Sequence, residues 1–160
     1  MAKYLTVFSD SHGARRNLSR LIGDFEISDK IVFLGDGLSD LKEIFEYEDK
    51  IVSVAGNCDF LSFASKRAEF TIEGVKFLAV HGDEFSVKSS LDRLLAYAKG
   101  VKANAVLYGH THIASVKEIE NITFINPGTL SQYGNLETFA FITVENGKIS
   151  AKIIPLNFRK

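Results

Sequence analysis

Five short polar clusters hold the residues of this chain that could do chemistry. They are Ser9-Asp10-Ser11-His12-Gly13, Gly35-Asp36-Gly37, Gly56-Asn57-Cys58-Asp59, His81-Gly82-Asp83 and Gly109-His110-Thr111-His112. Between them they contain all four histidines of the sequence. Each begins where an apolar run ends. Imidazole, carboxylate and amide oxygen together make a site for transition metals. Histidines scattered over a surface would not all fall at the ends of predicted strands.

The apolar runs are the elements that must position these clusters. Residues 3–9 read as a buried strand, and Leu18, Leu21, Ile22 and Phe25 form an amphipathic stripe that predicts a helix over 17–25. Ile31 to Leu34 is a short strand. Ser39-Asp40 starts a second helix, with Leu41, Ile44 and Phe45 expected inward. Ile51 to Ala55 is the next strand, so the first third alternates strand and helix, the pattern of a parallel sheet. Residues 68–72 and 75–80 flank Glu73-Gly74 as a hairpin, and a helix is predicted over 88–99 with Leu91, Leu94, Leu95 and Ala98 on one face. Ala103 to Tyr108 is a further strand. Strands alone follow, over 113–119, 122–125, 139–145 and 148–156, with Asn146-Gly147 as the strongest turn signal. The expected class is α/β: a parallel half and an antiparallel half, packed as two facing mixed β-sheets flanked by helices.

The bulk numbers bound the function. A chain of 160 residues is expected to be one domain spanning 1–160. At that length it buries roughly 70% of the surface its unfolded chain exposes. A net charge of −1 gives no electrostatic basis for bulk binding to nucleic acid or to an anionic membrane. One cysteine excludes an intrachain disulfide and suits a reducing compartment. The opening residues have too short an apolar stretch for a signal peptide, and no run approaches the ~20 residues of a membrane helix. A cytoplasmic location is the expectation.

In open α/β sheets, ligands bind beyond the C-terminal ends of the strands. Asp10, His12, Asp36, Asn57, His81, His110 and His112 all follow predicted strands, so these seven residues converge on one candidate site. The ordered series D-x-H, GD, GN-x-D, HG and GHTH resembles the calcineurin-like metallophosphoesterases, over nearly the whole chain from Asp10 to the Asn126-Pro127-Gly128-Thr129 loop. The short length and the GNCD form are similar to the small bacterial and archaeal phosphodiesterase branch.

That resemblance implies an αββα sandwich and two divalent metal ions per chain. Asp10, His12, Asp36 and His112 would hold the first; Asp36, Asn57, His81 and His110 would hold the second, with Asp36 as the bridge. Asp36, Asn57 and His81 are then the catalytic centre. No sulfur ligand is required, so Mn²⁺, Ni²⁺, Co²⁺, Fe²⁺ and Zn²⁺ all suit the donor set; Mn²⁺ is the first expectation. Paired ions ~3.5–4 Å apart clamp a phosphoryl group and acidify bound water, whose hydroxide attacks phosphorus in line with the leaving oxygen. The histidine ligands need an outer partner for their second ring nitrogen, either Asp59 or a backbone carbonyl.

Several positions depart from the wider pattern or lie beside it. Cys58 stands where larger relatives often carry a histidine that helps protonate the leaving group; a thiol is a poor substitute. Asp83 replaces the second histidine of HGH, and as an extra carboxylate near the ions it favours singly charged diesters over doubly charged monoesters. Arg15, with Arg16 beside it, is a candidate for contact with a substrate phosphate. Asn126 to Thr129 reads either as a rigid turn or as a loop bordering the site.

The expected activity is hydrolysis of phosphodiesters at a dinuclear metal centre. A phosphomonoesterase or nucleotide pyrophosphatase using the same centre is the alternative. A further alternative is a scaffold like the eukaryotic retromer subunit, a lineage that shares the fold and has lost key metal-site residues. The expected partner is a small phosphoester, with self-association to a homodimer or homotetramer.

Overall fold

The computed structural model describes residues 1–60, 62–131 and 136–158. Ten strands form two five-stranded sheets. The strands are β1 (Lys3–Phe8), β2 (Lys30–Phe33), β3 (Ile51–Ser53), β4 (Arg67–Ile72), β5 (Val75–Val80), β6 (Ala105–Leu107), β7 (Ser115–Ile119), β8 (Ile122–Asn126), β9 (Thr138–Glu145) and β10 (Lys148–Pro155). One sheet runs β10-β9-β1-β2-β3 and the other β4-β5-β6-β8-β7. The expected two mixed sheets are present, but parallel and antiparallel pairing do not divide by halves of the chain. Each sheet has three parallel strands, β1, β2 and β3 in one and β5, β6 and β8 in the other, with antiparallel neighbours at its edge. The last hairpin returns to pair β9 against β1.

Residues alternate across each buried strand, as the two-residue repeat of a strand requires. Leu5, Val7, Val32 and Leu34 face Phe77, Ala79, Ala105, Leu107 and Ile125 between the sheets. The alternate buried residues of these strands point outward into helical layers, Thr6 among them, its hydroxyl 2.8 Å from that of Ser28. Phe8, Ile31 and Phe33 pack on Leu18, Leu21 and Phe25 on one side. Leu78, Val80, Val106 and Phe124 pack on Leu94 and Ala98 of α3 (Asp92–Gly100) on the other. Continuous apolar runs such as Ile31 to Leu34 therefore reflect strands buried on both faces.

The helices depart from expectation. The stripe over 17–25 is carried by two short helices, α1 (Arg15–Ser19) and α2 (Ile22–Ile27). The Arg20 and Leu21 N–H groups donate to carbonyls three residues back, which tightens the chain between them. Leu18, Leu21 and Phe25 are all buried nonetheless, so the apolar spacing is satisfied without a continuous helix. The second predicted helix is a 3₁₀ segment, Leu38–Lys50, kinked at Ile44. Phe45, expected inward, is 65% exposed. Asp40 does not cap this segment; its carboxylate goes to the loop after β1. The helix expected over 88–99 begins only at Asp92. Among the described residues, no helix is long and apolar enough to cross a membrane.

Because both parallel sets run the same way past the inter-sheet core, their C-terminal ends meet at one rim. Truncating a side chain at the centre of that core tests the sandwich. Leu107→Ala should cost about 2–5 kcal/mol in urea unfolding with chelator present, as large-to-small changes in close-packed cores do.

Candidate metal centre

All seven expected ligands lie at this rim. Asp10 and His12 follow β1, Asp36 follows β2 and Asn57 follows β3, all in one sheet; His81 follows β5, and His110 and His112 follow β6, in the other. Side chains from the two sheets meet atom to atom. His112 Nε2 lies 3.1 Å from Asp10 Oδ1. His81 Nε2 lies 3.0 Å from Asn57 Oδ1, 3.1 Å from His110 Nδ1 and 3.2 Å from Asp36 Oδ2. His12 Nε2 stands 3.7 Å from Asp10 Oδ1 and 3.8 Å from Asp36 Oδ2.

These atoms form overlapping groups whose members lie within 4.8 Å of one another: Asp10, His12 and His112; Asp36, His81 and His110; and His12, Asp36 and Cys58. Asp36 thus faces both histidine sets, as a bridging carboxylate must. The Cys58 thiol stands among the donor atoms, beside His12 and Asp36.

The donor set fits a cation, and His81 gives the reason. Its Nδ1 is 2.7 Å from the Leu34 carbonyl, which only accepts, so Nδ1 carries the proton. In the neutral ring Nε2 is then a lone pair. Yet Nε2 faces a carboxylate oxygen, an amide oxygen and another imidazole nitrogen at 3.0–3.2 Å. Such crowding is repulsive unless positive charge lies among the atoms, either a proton or a metal ion. The Leu34 carbonyl also answers which outer partner orients this ligand. His12 makes a second such point: its Nε2 is buried with no hydrogen-bond partner among the described residues.

The carboxylates are held by dense local bonding. Asp10 Oδ2 accepts from the Ser9 hydroxyl and from the His110 N–H at 3.1 Å. Asp36 Oδ1 accepts from the Cys58 N–H at 2.7 Å. Asp59 lies behind the ions' expected place rather than at it. It accepts from the N–H groups of Asp36, Gly37, Leu38 and Gly56 at 2.7–3.0 Å, tying the β2 loop to the β3 loop. A side chain at Gly56 would collide with the Asp36 carboxylate, and one at Gly109 with Ser9 and Asp10, so both positions need the close approach only glycine permits.

Five of the seven expected ligands, Asp10, His12, Asp36, His110 and His112, have positive φ. The left-handed region costs non-glycine residues on the order of 1–3 kcal/mol each and persists where surrounding bonds over-determine it. Three supports hold these turns, and of them only Asp40 carried no expectation of a place near the site. Asp40, buried, accepts from the Ser11 hydroxyl at 2.6 Å and the Gly13 N–H at 2.9 Å, fixing the turn that presents His12. Thr129 donates to the Asp10 carbonyl at 2.9 Å. Asn126 donates to the Gly109 carbonyl at 3.2 Å and to Thr111 Oγ1 at 3.0 Å. The Asn126 to Thr129 segment is therefore a brace for the site, beyond being a turn. Only a short helix-start pattern marked Asp40, and that pattern pointed to a cap.

The remaining candidates sit at the margin. Arg15 is 58% exposed and pairs with Asp40 at 3.4 Å and Glu43 at 3.6 Å. Asp83 pairs with Lys66 at 3.8 Å and still bears electrostatically on His110.

Residues 4–147 match the calcineurin-like phosphoesterase superfamily domain, and the chain belongs to that superfamily, whose members use divalent metal ions. It is 30% identical over 156 residues to a probable metallophosphoesterase of Mycoplasma pneumoniae, covering 94% of each chain. It is 29% identical over 143 residues to the probable metallophosphoesterase YsnB of Bacillus subtilis, covering 88% of this chain and 83% of that one. A predicted phosphoesterase of Streptococcus pneumoniae superposes with a TM-score of 0.83 at 25% identity, over 97% of this chain and 90% of its own. The fold is shared with Vacuolar Protein Sorting 29 of Cryptosporidium parvum (TM-score 0.79, 15% identity, 96% and 97% covered). It is shared too with an archaeal phosphodiesterase (TM-score 0.73, 23% identity, 94% and 99% covered).

Without metal, the groups titrate against one another. Burial works to raise the Asp10 carboxyl, but His112, His12, His81 and Ser9 together hold it well below its ordinary 3.8. Asp36 is lowered likewise: burial opposes, and His81 and the Cys58 N–H prevail. The nearby Asp10 carboxylate raises His12, and Asp36 and Asp10 raise His81 against its burial. Burial, then the His81 charge, lowers His110. The raised histidines contribute stability that is full below 6.5 and is lost as pH climbs through their folded values. His110 contributes in the opposite sense, and the lowered aspartates lose their contribution only as pH falls below 3.8. His12 and His81 face the two aspartates directly, so their protons are the ones whose loss is expected to show: chelated protein should melt at lower temperature at about pH 8.5 than at about pH 6. Added Mn²⁺ should reverse that trend in the same thermal scan, because protons and metal compete for the same lone pairs.

Proposed function

We propose that this chain hydrolyses phosphodiesters, using two divalent cations held by Asp10, His12, Asp36, Asn57, His81, His110 and His112. The observation that carries the reading is the meeting of carboxylate, amide and imidazole lone pairs around His81 Nε2, with His12 Nε2 unpartnered nearby. Bound there, such ions supply Lewis acidity and an acidified water.

The chain's own residues do the rest. Asp36 lies between the two histidine sets and joins them. Asn57 offers a neutral oxygen, so it adds a donor without adding negative charge. The Leu34 carbonyl fixes the His81 tautomer. Cys58 stays a neutral thiol, because burial and then the negative charge of Asp36 push it up, so it neither repels a phosphate nor acidifies the leaving group well.

Charge supports diesters as the substrate class. Asp10 and Asp36 with one hydroxide leave two dications at about +1, and Asp83 lowers that further. A singly charged diester then meets less opposing charge than a doubly charged monoester. The Vps29-like fold leaves open a protein-binding scaffold, and the intact donor set favours the enzyme. Manganese is the first metal to test.

Mn²⁺-loaded protein should hydrolyse bis(p-nitrophenyl) phosphate faster than p-nitrophenyl phosphate. Chelator should abolish turnover, and Asp36→Asn should reduce it by about a hundredfold or more. Metal uptake without turnover on any phosphoester would move the reading to a scaffold; a faster monoester would overturn the substrate class. Asp83→His should raise the monoester-to-diester rate ratio several-fold, measured on the same two substrates.

A further inference from the structure

On the His12 side the centre opens into a cavity of about 470 Å³ bordered by Gly13, Arg16, Asn17, Arg20 and Ser131. That volume lies in the range of small-molecule sites, about 300–1,000 Å³, and exceeds what one phosphoryl group fills. Its wall carries two guanidinium groups and, among the described residues, no carboxylate.

Arg16 lies in α1 and Arg20 caps its C-terminus, and both line this wall. Neighbouring Arg15 is engaged by Asp40 and Glu43. Arg16 is exposed and has no ion pair among the described residues, and the Glu137 contact of Arg20 is at 4.0 Å. The floor is rigid: Asn17 Nδ2 donates to the Leu130 carbonyl at 2.6 Å, and the Ser131 N–H donates to Thr129 Oγ1 at 3.0 Å. That same Thr129 hydroxyl bonds the Asp10 carbonyl, so the cavity is held in fixed register with the centre.

We propose that this cavity is a second anion subsite, in which Arg16 and Arg20 receive a further phosphate on one arm of the substrate. Guanidinium forks match phosphate oxygens in pairs and hold them by charge-assisted hydrogen bonds. The inference rests on the diesterase reading and narrows it to phosphodiesters that carry another phosphate a few bonds from the scissile one. Arg16 and Arg20 are then specificity residues, acting on the far end of the substrate.

Binding separates this from catalysis. Thymidine 3′,5′-bisphosphate and thymidine 5′-phosphate, titrated calorimetrically into Mn²⁺-loaded protein, should differ in affinity by about tenfold in favour of the bisphosphate. The ratio should fall toward unity in Arg16→Gln/Arg20→Gln, and Arg16→Lys should keep part of it. Thermal scans of each variant confirm folding. Equal affinity for the two ligands in the parent, or a ratio unchanged in the folded double variant, overturns the subsite. In parallel, the p-nitrophenyl ester of thymidine 5′-phosphate is assayed with and without a 3′-phosphate. Loss of turnover on both with the binding ratio intact would sink the enzyme reading and leave the subsite standing. Turnover without a binding ratio would do the reverse.

Discussion

Asp10 and Asp36 are buried carboxylates sharing one rim, and keeping both charged is the constraint that organises the site. Burial alone pushes each toward its neutral form, and each raises the cost of ionising the other. The offsets are all visible. The His110 and Cys58 N–H groups and the Ser9 hydroxyl bond the outward oxygens, and four imidazoles face the inward ones. Protons on those imidazoles balance part of the charge, and metal ions would balance it more fully. The same negative charge that draws a cation thus explains why histidines gather here and why His12 and His81 hold their protons more tightly than usual.

Geometry is enforced at a distance from the donor atoms. Asp59, Asp40 and Thr129 never need to touch a ligand-bound ion, yet each ties down a loop that carries one of its holders. With Asn126, which ties Gly109 and Thr111, they hold the loops in which five residues keep a left-handed backbone. A loop anchored at one point would have an easier conformation available.

The donor set was legible because its residue types are rare and their order along the chain is specific. The two-sheet layout was legible because strands buried on both faces read as unbroken apolar runs. Less was visible where one pattern serves two structures. The Leu18, Leu21, Ile22 and Phe25 stripe is satisfied by one helix or by two short ones, since both bury the same face. The segment 38–50 read as a helix because Asp40 resembles a cap; a contact with Ser11 and Gly13, far away in sequence, claims that carboxylate instead. Phe45 faces outward for the same reason, as the kink at Ile44 turns the chain. The bracing role of Asn126 and Thr129 depends wholly on which strands become neighbours, and periodicity carries no record of that.

The centre draws Asp10, His12, Asp36 and Asn57 from one layer and His81, His110 and His112 from the other. A cation seated there is therefore a rivet through both layers at a single edge. Pulling it out would leave the apolar filling intact but unpin that edge, so the sandwich would begin to gape there before it loosened anywhere else.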